Sequence, residues 1–170
     1  METYNQNYTI DPEKSPRGKA ATANFLSGYN CTQAVTLAFA DLFDMDERTL
    51  LRMSSSFGGG MGRLREVCGT VSGMFLVAGL LYGYDDPKAF DEKAEHYGRI
   101  QELARRFRAC QGSIVCRELL GLSAGADSPV PERRTQEYYK KRPCGQLAGL
   151  AAAILEQFIE ENPIESEKTE

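Results

Sequence analysis

An all-α fold, built as a single-domain compact helical bundle of about six to seven helices, is what this 170-residue sequence predicts. Period-2 alternation of β-branched residues is nearly absent. Apolar residues instead recur at three and four positions through most of the chain, and helix stop and start signals separate the runs. With 42% hydrophobic residues, one domain of this length can bury a core without covalent staples.

Residues 1–16 are polar and lack the basic-then-apolar order of a secretory signal, so they read as a disordered segment of a cytoplasmic protein. The domain proper spans 17–161. Its first helix, over 17–26, ends at the turn Ser27-Gly28-Tyr29. Asn30 caps a second helix running to about residue 43, and Asn30-x-x-Gln33 has the spacing of a capping box. Asp46 caps a third helix through about residue 55. Four glycines in six positions make 57–62 a loop, which Arg63 and Arg65 follow.

A core helix over about 66–82 comes next and stops at Gly83. Its apolar stretch, residues 67–82, is 16 long with three glycines, short of the ~20 residues that span a bilayer. Asp86-Pro87 then opens a long helix by the rule that places proline in a first turn, and it runs to about Cys110. Phe90, Ala94, Tyr97, Ile100, Ala104 and Phe107 form its expected buried stripe, with charged residues opposite. Gly112 breaks it, Ser113 caps a short helix to Leu120, and a loop over 121–131 leads to an exposed charged segment at 132–141. Pro143 opens the last helix, ending near Glu161, and 162–170 is an acidic tail.

The 20 basic and 24 acidic residues are spread along the chain for a net charge of −4, which argues against nucleic-acid binding. Chemistry concentrates in the cysteines. Five of them in a cytoplasmic protein are not a static disulfide framework. Cys31, Cys68, Cys116 and Cys144 all fall at expected helix starts, where free N–H groups and the positive end of the helix dipole favour the thiolate, the form that acts as nucleophile and metal ligand. Cys110 instead sits at a helix C-terminus on an apolar stripe and reads as a packing residue.

The four lie 37, 48 and 28 positions apart with no C-x-x-C pair, so any site must be assembled by the fold. Three chemistries suit such a set: a dithiol/disulfide couple, a four-thiolate zinc site, or an iron–sulfur cluster. The loop Gly58-Gly59-Gly60-Met61-Gly62 lacks the Gly-Lys-Ser/Thr of a phosphate loop and reads as a close approach or lid beside Cys68. Arg63 and Arg65 are near enough in sequence to lower the Cys68 pKa. Gly69 and Gly73 share a helix face and suit tight helix packing. The single histidine, His96, lies among charged residues far from any cysteine in sequence and reads as a surface or packing residue.

Gly28-Tyr29-Asn30-Cys31-Thr32-Gln33-Ala34, Phe57-Gly58-Gly59-Gly60-Met61-Gly62, Cys68-Gly69-Thr70-Val71-Ser72-Gly73, Cys116-Arg117-Glu118-Leu119-Leu120-Gly121 and Cys144, in that order, resemble the C_GCAxxG_C_C family of redox-active proteins. Thr70 stands where the family motif usually has alanine and adds a hydroxyl near Cys68. The resemblance implies that Cys31, Cys68, Cys116 and Cys144 carry the function. Frequent proximity of family members to transporter genes adds a membrane transporter as a partner.

Three readings follow. In the first, a cytoplasmic thiol-dependent redox or electron-transfer protein exchanges electrons with a redox partner protein. In the second, the same four thiolates bind zinc or an iron–sulfur cluster. In the third, a helical module contacts a membrane transporter through 132–141 or the glycine loop. No Ser/His/Asp set or paired carboxylate points to hydrolase or transferase chemistry.

Overall fold

Helix α9 (Cys144–Glu161) is surrounded by the rest of the fold, because its alanine- and leucine-rich run combines high helix propensity with an apolar surface on most sides. The computed structural model describes residues 8–123 and 125–164. Against α9 lie α1 (Pro16–Leu26), α2 (Cys31–Leu37), α5 (Gly69–Tyr82) and α6 (Phe90–Gln111). Around these sit α3 (Glu47–Ser55), the single turn α7 (Cys116–Leu119), α8 (Gln136–Lys141), and a glycine turn, α4 (Gly58–Met61), whose Gly59 and Gly60 are not in helical conformation, as expected of a loop. The fold is all-α: among the described residues the sole β-type pairing is an isolated antiparallel bridge, Val67 to Val115. No helix is long and apolar enough among them to cross a membrane.

Sequence signals place most boundaries correctly. Asn30 Oδ1 accepts from the N–H groups of Thr32 and Gln33, and Gln33 Oε1 accepts from Asn30 N–H, a complete capping box. The amides of both residues also donate to carbonyls of α3, Asn30 to Ser55 at 3.0 Å and Gln33 to Leu51 at 3.0 Å, so one local motif also docks two helices. Asp46 caps α3 through Thr49 N–H, and Gly112, at φ 79°, closes α6 in the left-handed conformation that glycine adopts without steric penalty.

Several expectations need correction. Residues 8–16 are not disordered: a 3-10 turn over Pro12–Lys14 precedes α1, buried Ser15 caps α1 and donates to Glu156, and the Tyr8 hydroxyl donates to Gln157. Residues 1–7 and 165–170 lie outside the described part, so the disordered start and acidic tail apply there only as expectations. Helix α2 ends at Leu37 and gives way to a 3-10 turn at Ala40–Leu42.

Asp86 does not cap α6. Its carboxylate instead accepts from Lys88 N–H in a turn, and the helix begins at Phe90. Phe90 and Tyr97 of the expected stripe are exposed, while His96, Leu103, Ala104 and Phe107 are buried. The N-terminal half of α6 meets the 83–86 connection and not the main core: Tyr84 contacts His96 and Tyr97 there, and Phe90 lies beyond that contact. Segment 132–141, read as exposed, contains α8, capped by Thr135.

Closest approach governs the α2–α5 pair. A Cβ at Gly73 would stand 2.9 Å from Val35 Cβ and 3.0 Å from the Thr32 carbonyl, tighter than real packing allows. Gly73→Ala is therefore expected to destabilise the protein by about 1–3 kcal/mol. At Gly98, mid-helix in α6, an added Cβ meets nothing within 4 Å, so Gly98→Ala should stabilise by about 0.5–1 kcal/mol. Urea denaturation of both variants checks the pair, and equal effects would contradict this packing.

Candidate functional site

Four helix starts point at one cleft. Cys31, Cys116 and Cys144 are the first residues of α2, α7 and α9, and Cys68 is the residue that caps α5. All four line a single cavity of about 220 Å³. Cys110 stands apart, its thiol 3.7 Å from the Tyr8 carbonyl on another face.

The α5 and α7 starts are joined by backbone. Cys68 N–H donates to the Ile114 carbonyl at 2.8 Å, Cys116 N–H to Glu66 at 2.6 Å and Arg117 N–H to Arg65 at 3.2 Å, flanking the Val67–Val115 bridge. This antiparallel pairing brings two cysteines 48 positions apart in sequence onto one wall. The glycine loop then fits between walls. Gly60 lies so close to Cys116 that a Cβ there would be 2.6 Å from the cysteine Cβ, and a Cβ on Gly69 would be 3.1 Å from Cys31 Cβ and 2.8 Å from Thr32 Oγ1. Gly69, at the start of α5, thus lets Cys31 close on that helix, while the loop itself reaches Cys116 through Gly60 and Cys31 through the Gly59 N–H, a more central place than beside Cys68 alone.

Electrostatics separates the four thiols. The Cys144 thiol and the Gly59 N–H lie against the Cys31 sulfur, which is also in the field of Arg134. These donors outweigh burial and lower the Cys31 pKa to about 6. Cys144 moves the opposite way: its proton is held by the neighbouring sulfur, so its pKa rises. Burial pushes Cys68 up to about 12, with the nearby Cys31 charge adding to the rise and the Thr70 hydroxyl, 3.2 Å from its sulfur, offsetting part of it. Cys116 also rises through burial, partly offset by Arg65, whose Nη1 donates to its sulfur at 3.8 Å.

Two readings are corrected here. A helix start alone does not make a thiolate: the dipole contributes about 0.3–1 kcal/mol, less than the desolvation of a buried thiolate, and only Cys31 has enough further donors. Arg65, a sequence neighbour of Cys68, turns instead to Cys116 and Asp127, pairing with the carboxylate at 2.8 Å, while Arg63 pairs with the same carboxylate at 2.7 Å. His96 is buried in edge contact with Tyr84, as a packing histidine, and burial lowers its pKa.

Sequence reasoning missed Arg134 and Tyr138, which line the cleft from the segment read as exposed, and Arg142 just after it. Arg134 lies over Phe25 and Tyr138, 4.2 and 4.8 Å from the ring centroids, and donates to the Tyr29 carbonyl at 3.2 Å. Its available signal was the interleaving of arginine with tyrosine at 134, 138, 139 and 142, a pattern suited to cation–π packing. Zinc or iron–sulfur ligation needs several donors around one point. Among the described residues, no group of three or more His, Cys, Asp or Glu side chains is placed to hold a metal ion.

Residues 29–158 match the family model described as "Putative redox-active protein (C_GCAxxG_C_C)". Comparisons with curated proteins and with solved structures give no match.

The Cys31 assignment has a direct pH consequence. Its folded pKa is below that of an unfolded thiol, so the charged form stabilises the fold fully above the unfolded value near 9, and this contribution is lost as pH falls through about 6. Iodoacetamide labelling of Cys31, followed by peptide mass spectrometry, should rise with a midpoint near pH 6, and Cys144→Ala should move that midpoint upward. Cys110, raised by burial, should label only at higher pH. A shared midpoint for Cys31 and Cys110 would refute the assignment.

Proposed function

We propose, from the chain's membership of the C_GCAxxG_C_C family and the convergence of Cys31, Cys68, Cys116 and Cys144 on one cleft, that it is a cytoplasmic thiol–disulfide redox protein with Cys31 as nucleophile and Cys144 as resolving thiol. The observation that carries this reading is the meeting of two helix starts, Cys31 of α2 and Cys144 of α9, on one cleft, where each thiol is the strongest influence on the other's proton and the pair offers a thiolate with a resolving partner beside it. Low thiolate pKa and a poised second thiol are what dithiol exchange requires.

The chemistry is balanced with a disulfide substrate. The Cys31 thiolate attacks one sulfur of the substrate, forming a mixed disulfide and releasing the first substrate thiolate. Cys144, losing its proton to that leaving group, then attacks Cys31 Sγ and releases the second thiolate. The protein dithiol is oxidised by two electrons to a Cys31–Cys144 disulfide, and the substrate disulfide is reduced to a thiol and a thiolate. Cys68 and Cys116, with raised pKa values, are poor nucleophiles at neutral pH.

Treatment of the reduced protein with 2-hydroxyethyl disulfide should remove Cys31 and Cys144 from the free-thiol count, link their peptides in a mass map, and be reversed by dithiothreitol. Cys31→Ser and Cys144→Ser should each abolish the linkage, whereas Cys110→Ser should leave it intact. Oxidation that leaves Cys31 and Cys144 free, or does not reverse, would end this reading.

A further inference from the structure

The cleft holds more positive charge than its cysteines need. Arg63, Arg65, Arg134 and Arg142 all line it. Asp127 is shared between Arg63 and Arg65, and Glu132 pairs with Arg142, so two carboxylates face four guanidiniums. Among the described residues Arg134 has no carboxylate within ion-pair distance and is held by aromatic faces and the Tyr29 carbonyl. One thiolate at Cys31 still leaves the site cationic.

Unused donors point the same way. Arg65 is 4% exposed, yet its buried Nε has no acceptor, and Arg134 Nη1 is likewise buried without one. A buried guanidinium N–H without a partner carries a desolvation penalty that an incoming anion relieves. At about 220 Å³ the cavity is below the size of drug-binding pockets and suits a small molecule, not a folded partner's loop.

We infer that this cleft recognises a small anionic substrate, a low-molecular-weight disulfide or other sulfur electrophile bearing a carboxylate, with Arg134 and Arg142 holding its negative charge while its sulfur meets Cys31. This rests on the dithiol reading for its chemistry, but the charge selectivity is independent of it. The exchange follows the balance given above, with the substrate disulfide as oxidant. Arg134, placed over Phe25, positions the charge end and takes no part in bond making. Arg142, ion-paired with Glu132, presents the second guanidinium on the same lining.

Alkylation tests recognition without any redox step, because the thiolate simply displaces iodide. Iodoacetate is ordinarily slower than iodoacetamide on a free thiolate, since charges repel. In this protein Cys31 should prefer iodoacetate, and Cys110, outside the cleft, should keep the ordinary order in the same sample. Raising ionic strength should weaken the preference. Arg134→Gln and, separately, Arg142→Gln should each shift the iodoacetate-to-iodoacetamide rate ratio at Cys31 by about tenfold toward the Cys110 value. Taking the ratio cancels any change in the thiolate fraction itself, and Arg142→Gln keeps the test sound should Arg134→Gln fail to fold.

Disulfide probes of opposite charge provide the second arm. Dithiodiglycolate should oxidise the protein faster than 2-hydroxyethyl disulfide, and cystamine should be slowest. An iodoacetate-to-iodoacetamide ratio at Cys31 equal to that at Cys110 in the wild-type protein overturns the inference even if disulfide exchange proceeds. A preserved alkylation preference with no disulfide formed supports the anion site and removes the dithiol reading alone.

Discussion

Everything at the cleft depends on how closely α2 lies against α5. Gly69 and Gly73 present bare backbone to α2, so Thr32 and Val35 reach distances that any side chain would prevent. That approach brings Cys31 at the start of α2 beside Cys68 at the start of α5. Helix α9, packed against both, then delivers Cys144 to the same end of the bundle. Larger residues at either glycine would move the α2 start away, and with it the Cys31 sulfur from its donors.

Local strain is concentrated beside the site. Between Gly59 and Arg65 the backbone turns through a run of left-handed conformations that includes three non-glycine residues, Met61 at φ 63°, Arg63 at φ 70° and Arg65 at φ 63°. Each such residue costs on the order of 1 kcal/mol. Opposing this are the paired guanidinium contacts to Asp127, the backbone pairing of 65–68 with 114–117, and the fit of Gly60 on Cys116. The strained run aims the Arg65 guanidinium at the Cys116 thiol and the Arg63 guanidinium at Asp127 and the Ser128 carbonyl. Arg65 consequently links Cys116 to the 121–131 loop through Asp127.

Burial and charge then divide the labour among chemically identical side chains. All four cleft cysteines begin or cap a helix, but only Cys31 collects a thiol donor, a backbone N–H and a nearby guanidinium field. The others are desolvated without equal compensation, so they retain their protons. One thiolate among several thiols is a more useful arrangement for exchange than several mutually repelling charges would be.

Much of this was legible along the chain. The helical period, the Asn30 and Asp46 caps, the Gly112 stop, the separation of Cys110 from the other cysteines and the helix-start placement of the four all depend on contacts within a few residues, which sequence spacing reports directly. The C_GCAxxG_C_C membership rests on the same ordered motifs. Tertiary structure alone decided which wall each cysteine joins, that Arg65 serves Cys116 instead of Cys68, and that Arg134 and Arg142 return from a distant, charged segment to line the cleft. The reason is physical: propensity and capping are local free energies, whereas a pKa or a binding cleft depends on what burial and long-range packing place around an atom, and no spacing along the chain encodes that surrounding by itself.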